Sequence, residues 1–218
     1  MVVLVILLVA ADFITKAVAE NVAASQIQKQ GFPKKPSVTV EGFPFLTQVA
    51  ARDLHQVRLS SSDVPAGPVD LTQVNAVANG VHLNSNFRSG TIDSVSGTVL
   101  ISFSSLASAL TNQLGPAGAV VRSAGLTLSD AGPEEIKASV NLIVASGSAT
   151  WRVTHPTPQQ LSVTLVSSSG IPAAELQSIR NLSFSIPRLP LGVTIQTVSV
   201  TASGIVGQLG ATNLPFNQ

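Results

Sequence analysis

The side chains able to do chemistry are few and scattered. Histidine occurs only at His55, His82 and His155, far apart in the chain. There is no Gly-x-Ser-x-Gly elbow, no His-Glu-x-x-His, no phosphate loop ending in Gly-Lys-Ser/Thr and no EF-hand loop. A Ser-His-Asp set dispersed in sequence stays open, through His55 or His82. His55 alternates with Val57 and Leu59 and reads as a half-buried, hydrogen-bonded imidazole. His155 precedes Pro156 and reads as a solvated turn residue. With no cysteine, disulfides, thiolate zinc, iron–sulfur clusters and a lipidated cysteine are excluded. Gly204, Gly207 and Gly210 lie in a strand pattern with no helix after them, so they read as bulges or close packing rather than a phosphate cradle. The expectation is a protein that is not an enzyme, with no metal and no cofactor.

Binding chemistry is better represented. Lys34 and Lys35 stand in a turn before the first strand, Arg52 and Arg58 follow the stretch VEGFPFLTQV, and Arg188 sits in IPRLPLG. Each could be a solubility charge. Together they could form a basic rim beside apolar residues, where an anionic head group meets charge and its acyl chains meet hydrocarbon. The apolar residues include Phe43 and Phe45 around Pro44, followed by Leu46. Pro is excluded from central strands, and a solvated loop would not choose Phe-Pro-Phe-Leu, so an apolar group is held at a bend. A net charge of +1 gives no case for a nucleic-acid partner.

Charged residues make up only 11% of the chain, against a norm of about 25%, so the polar surface is mostly hydroxyl. Residues 1–11 carry an apolar run that ends at Asp12, too short to span a bilayer by itself. A cleaved export signal, an uncleaved anchor running past Asp12 and a buried core helix all fit it; the first two put the remainder outside the cytoplasm. Residues 12–218 then form one domain. Residues 12–30 read as a helix with Phe13, Ile14, Ala17, Val18, Val22 and Ile27 near one stripe; packing on the domain is the expectation, and a helix lying on a membrane surface is the alternative. Period-two patterns follow from Val38 to Val200, interrupted by helices at 104–114 and 172–179. Val77, Val81, Leu83 and Phe87 share one parity, and the pattern switches between Ile195 and Val198. The fold class is therefore α+β with a large antiparallel sheet. Three helices are few to cover it, so the sheet is expected to curl around an apolar channel.

Two stretches carry a family resemblance: VTVEGFPFLTQVAARDLHQVRLSSSDV, residues 38–64, and IPRLPLGVTIQTVSVTASGIVGQLG, residues 186–210. In these the chain resembles the LmeA-like phospholipid-binding proteins of the actinobacterial cell envelope, over about residues 12–210. The resemblance implies an elongated, tubular lipid-binding (BPI-like) fold, with a curved sheet wrapped around helices. It implies export or membrane anchoring, contact with a membrane surface, and phospholipid ligands including inositol lipids, without an assigned reaction. On it, Gly42 to Leu46 form one signature bend and Leu189 to Gly192 a second. Phe43, Phe45, Leu46, Phe87, Phe103, Trp151, Phe184, Ile186 and Leu191 are then expected to contact acyl chains, and Lys34, Lys35, Arg52, Arg58 and Arg188 the head group. An envelope scaffold binding a protein or glycan, and a lipid or glycolipid hydrolase, are the competing readings.

Overall fold

The computed structural model describes residues 2–29, 32–67, 69–113, 125–141, 146–158, 160–170, 180–185 and 192–217. Their order is α1 (Val2–Lys29), β1 (Ser37–Glu41), α2 (Phe45–Ala51), β2 (Asp53–Ala66), β3 (Val69–Leu83), β4 (Ser89–Ser102), α3 (Phe103–Gln113), β5 (Thr127–Gly132), β6 (Glu135–Asn141), β7 (Ser146–Thr157), β8 (Gln160–Ser169), β9 (Asn181–Ser185), β10 (Thr194–Thr201) and β11 (Gly204–Asn217). This is the expected α+β class. The strands form two antiparallel sheets, a six-stranded one in the order β1-β2-β3-β4-β11-β10 and a five-stranded one in the order β5-β6-β7-β8-β9. Among the described residues neither sheet closes into a barrel. The expected helix at 172–179 lies outside the described residues.

The sheets meet where β10 lies beside β7 and β5, and where α3 packs on β5. The backbone joins them: Val200 N donates to Pro133 O at 2.7 Å. Ile136, Val153, Leu161 and Val163 of the small sheet pack there with Leu106 of α3 and with Val200 and Ile205 of the large one. A second cluster, Val81, Ile92, Val95 and Leu214, holds the other end of the large sheet.

Long strands would drift off the core face if they kept strict alternation, and two devices correct this. In β3, Ala78, Val81 and Leu83 share one cluster, so the expected parity running from Val77 through Val81 is broken. Gly80 lies between them at φ +62, a conformation that only glycine adopts freely, and Asn213 in β11 also has positive φ. In β10 the pairing slips between Ile195 and Thr197, as the sequence pattern anticipates. Close packing at the glycines of β11 also holds: a Cβ on Gly207 would lie 2.9 Å from the Val99 side chain.

The greatest departure concerns α1. The helix runs without a break from Val2 through Asp12 to Lys29. Most of its apolar stripe does not pack on the domain; only its C-terminal end does, where Ile27 is half-buried and Ala24 is buried. Ile14 is 66% exposed, and Val18 and Val22 are also exposed. The polar side faces inward instead. Asp12, Lys16 and Glu20 form a column at i, i+4, i+8, and Ile14, Val18 and Val22 form another, offset by two residues. At 3.6 residues per turn that offset is about 200° of rotation, so the columns lie on opposite faces.

Candidate functional site

The inward column of α1 holds the first bend in place. Asp12 is 4% exposed. Its Oδ2 accepts from Phe45 N at 2.9 Å and its Oδ1 from Leu46 N at 2.7 Å. Pro44, at the N-cap position of α2, supplies no side-chain acceptor. A carboxylate from another helix therefore caps α2, satisfying two of the amides that a helix start leaves open. Eight residues on, Glu20 Oε1 accepts from Val40 N at 2.7 Å, covering a free amide on β1, the edge strand of its sheet. Lys16 lies 3.7 Å from Glu20 and offsets its charge. On the far side of the bend Gln48, buried, donates from Nε2 to Glu41 O at 3.2 Å and accepts at Oε1 from His55 N at 3.1 Å.

With its backbone fixed, the bend sends its two phenylalanines to different places. Phe45 is 3% exposed and belongs to the core. Phe43, two residues earlier across a cis peptide to Pro44, is 61% exposed. Its ring stacks on that of Phe13, with centroids 6.0 Å apart and planes at 26°. Leu46 is exposed beside them in sequence. Phe13, Ile14, Val18 and Val22 of α1, with Phe43 and Leu46, thus leave a large apolar surface uncovered, and exposed apolar groups in such number mark a contact surface. The apolar run continues toward the N-terminus through exposed Ile6, Leu7 and Leu8.

The other expected apolar contacts divide further. Phe103 and Trp151 pack against the cluster between the sheets. Phe87 is exposed at φ +57 in the turn between β3 and β4. Phe184 pairs with Leu161 through the backbone of β9, and its side chain lies outside the described set. Ile186, Leu191 and Arg188 lie outside the described residues, as does most of the second bend.

Of the expected basic rim, Lys34 and Lys35 come together at a cleft of about 350 Å³. Ser60, Ser61 and Ser62 of β2 and Thr72 and Gln73 of β3 complete its walls. Lys34 Nζ donates to Asp63 Oδ2 at 2.6 Å. That hydrogen bond, with the ammonium charge, holds the Asp63 carboxyl below the usual carboxylate range. Lys35 Nζ donates to the neutral Asn21 Oδ1 of α1 at 2.9 Å, so its charge is not offset by that partner. Arg58 lies two residues from Ser60 but is paired with Glu41 at 3.1 Å. Arg52 is at the opposite end of β2, capping α2 at φ 58.

The three histidines sit in separate settings. His55 is exposed rather than half-buried. His82 Nδ1 lies 3.3 Å from Asp53 and Nε2 lies 3.2 Å from Asp93, so neither ring nitrogen is left facing an open site. His155 Nε2 is 2.7 Å from Gln196 O and helps tie β7 to β10. Among the described residues no group of three His, Cys, Asp or Glu is placed to hold a metal ion.

Sequence reasoning passes over Asp12, Glu20, Gln48 and Ser61. The signal for the first two is the four-residue spacing of Asp12, Lys16 and Glu20, which reads as an ordinary solvated face until the rest of the fold lies against it.

Fold and site define a class: an α+β protein on two open antiparallel sheets, whose leading helix turns polar groups inward and apolar groups outward. More specifically, a family model of LmeA-like phospholipid-binding proteins matches residues 10–209, and the chain belongs to that family. No curated protein and no solved structure matches it. Family membership supports phospholipid binding.

Proposed function

We propose that this is a non-catalytic phospholipid-binding protein that works at a membrane surface outside the cytoplasm, in the cell envelope. It docks through the outer face of α1 with Phe43 and Leu46, and it holds acyl chains against apolar protein surface with the head group near Lys34 and Lys35. Lipid transfer between membranes is the activity such an arrangement would serve, and inositol phospholipids are the first ligands to test, on the family resemblance.

The single observation that carries this reading is the inverted polarity of α1. A helix that only packs on a domain turns its apolar side inward. Here three charged residues take the inward side and the aliphatic column is left in solvent. Covering half-exposed apolar side chains contributes about 1 kcal/mol each at ~25 cal/mol per Å². Six of them give on the order of 5 kcal/mol, enough for surface binding after the cost of immobilisation. Among the described residues no helix is long and apolar enough to cross a membrane. An α1 held to the domain by its polar column, with its aliphatic column against a lipid surface, fits both facts.

Vesicle flotation tests the reading. The protein should float with phospholipid vesicles, and Ile14→Ser/Val18→Ser/Val22→Ser together should lower binding by roughly a hundredfold, given about 1 kcal/mol per residue. Phospholipid should also be recovered by extraction of the purified protein and identified by mass spectrometry. A protein that neither floats nor carries lipid would overturn the proposal.

A further inference from the structure

The cleft between the turn before β1 and strands β2 and β3 contains a polar group with no internal explanation. Ser61 is 8% exposed, and its Oγ is buried with no hydrogen-bond partner. A buried hydroxyl left unpaired costs stability, whereas alanine would cost nothing there. Ser61 nevertheless lines the cleft. Its neighbours Ser60 and Thr72 are engaged, with Asn75 at 2.8 Å and Ser102 at 2.9 Å, so the unpaired group stands out within its own surroundings.

The charges give the ligand its sign. Two ammonium groups, Lys34 and Lys35, stand at the cleft. One is offset by Asp63, which an anion would have to displace or share Lys34 with. Lys35 is held by an amide, which positions it without neutralising it. The local excess is one positive charge beside an orphan hydroxyl donor. A phosphate group matches both, because its oxygens accept from an ammonium and a hydroxyl at once.

We infer that this cleft is a phosphate subsite, with Lys35 as its charged ligand, Ser61 turning its hydroxyl about χ1 to reach the anion, and Lys34 exchanging Asp63 for it. The inference rests on the phospholipid reading above and deepens it by assigning the head-group phosphate a place. The position suits a lipid. Asn21, which holds Lys35, adjoins Val22 at the C-terminal end of the exposed aliphatic column of α1. A phospholipid drawn up beside α1 would put its phosphate at Lys35 while its chains run along Val22 and Val18.

Three probes separate the outcomes: dihexanoyl-phosphatidylglycerol, its phosphate-free counterpart dihexanoylglycerol, and inorganic phosphate, each titrated into the full chain by calorimetry. Wild type should bind the phospholipid about tenfold more tightly than the diglyceride, as expected for one charge-assisted phosphate contact. In Lys35→Gln that ratio should fall to about one to two, and in Ser61→Ala to about three, a smaller loss because the hydroxyl brings a hydrogen bond to the anion but no charge of its own. Diglyceride affinity should stay unchanged in both. Ser61→Ala should also melt no lower than wild type, since it removes only an unpaired group; a lower melting temperature would show Ser61 to be structural and remove it from the site. An unchanged ratio in Lys35→Gln would overturn the subsite while leaving lipid binding intact. Inorganic phosphate binding as tightly as the phospholipid would overturn the head-group assignment in favour of a free-phosphate site. Failure of wild type to bind either lipid would instead remove the reading on which the subsite rests.

Discussion

The layer made by α1, β1 and α2 and the core between the two sheets are built on opposite rules. Between the sheets, Ile136 and Val153 are almost wholly buried and pack against aliphatic side chains of α3, β8, β10 and β11. There burial of hydrocarbon does the work. In the first layer, the buried contacts between α1 and its neighbours include Asp12 on two amides, Glu20 on a third, and the apolar column faces out. Charge-assisted hydrogen bonds to backbone are directional and fix a helix in one orientation. Apolar packing alone would let α1 roll its aliphatic column onto the domain. The difference teaches that the orientation of α1 is held by polar contacts so that its apolar side stays available.

The two phenylalanines of the bend put this contrast to the test most strongly. Phe45→Ala should destabilise the protein by about 3–5 kcal/mol in urea unfolding, the range for a buried Phe. Phe43→Ala should change stability by less than about 1 kcal/mol, as for an exposed position, while weakening vesicle binding. Equal losses at both would mean that the bend is simply one end of the core. Next in size is Asp12→Ala, which strands two amides at the start of α2. Its expected cost is about 1–3 kcal/mol by the same unfolding measurement, with α1 becoming accessible to protease ahead of the sheets. A variant as stable and as protease-resistant as wild type would show that the polar contacts do not hold α1.

The smallest effect belongs to the cleft. Lys34 depresses the Asp63 pKa, so the pair is complete above the ordinary aspartate range and is lost only as pH falls through the lowered folded value. Both partners are exposed, so this should appear in the NMR titration of the Asp63 carboxyl and not in global stability. Lys34→Gln should return Asp63 to the ordinary range. An unmoved midpoint would deny the pairing on which anion exchange at Lys34 depends.

Much of the architecture was legible because it rests on local pattern. The alternation from Val38 onward gave the strands, and the slip between Ile195 and Val198 gave a register shift. The leucines and alanines after Ser104 gave α3, one residue short of its observed start at Phe103. Of the site, Lys34 and Lys35 were legible as adjacent cations that share one cleft. Arg52 and Arg58 were not separable from them, because Arg52 caps α2 just before β2 begins and Arg58, within β2, is paired with Glu41. The face presented by α1 was also hidden: an amphipathic period locates a stripe without saying which side meets protein.

Residue order by itself determined the class of fold, the apolar and polar columns of α1, the absence of thiol chemistry, and the family signature around Phe43 to Gln48. These follow from periodicity and composition, which act over a few residues. Only the tertiary structure decided that Asp12 caps a helix 33 residues away, that Phe43 and Phe45 part, and that Ser61 is buried without a partner. Such facts depend on which amides are left unpaired once distant segments meet, and no local pattern records that.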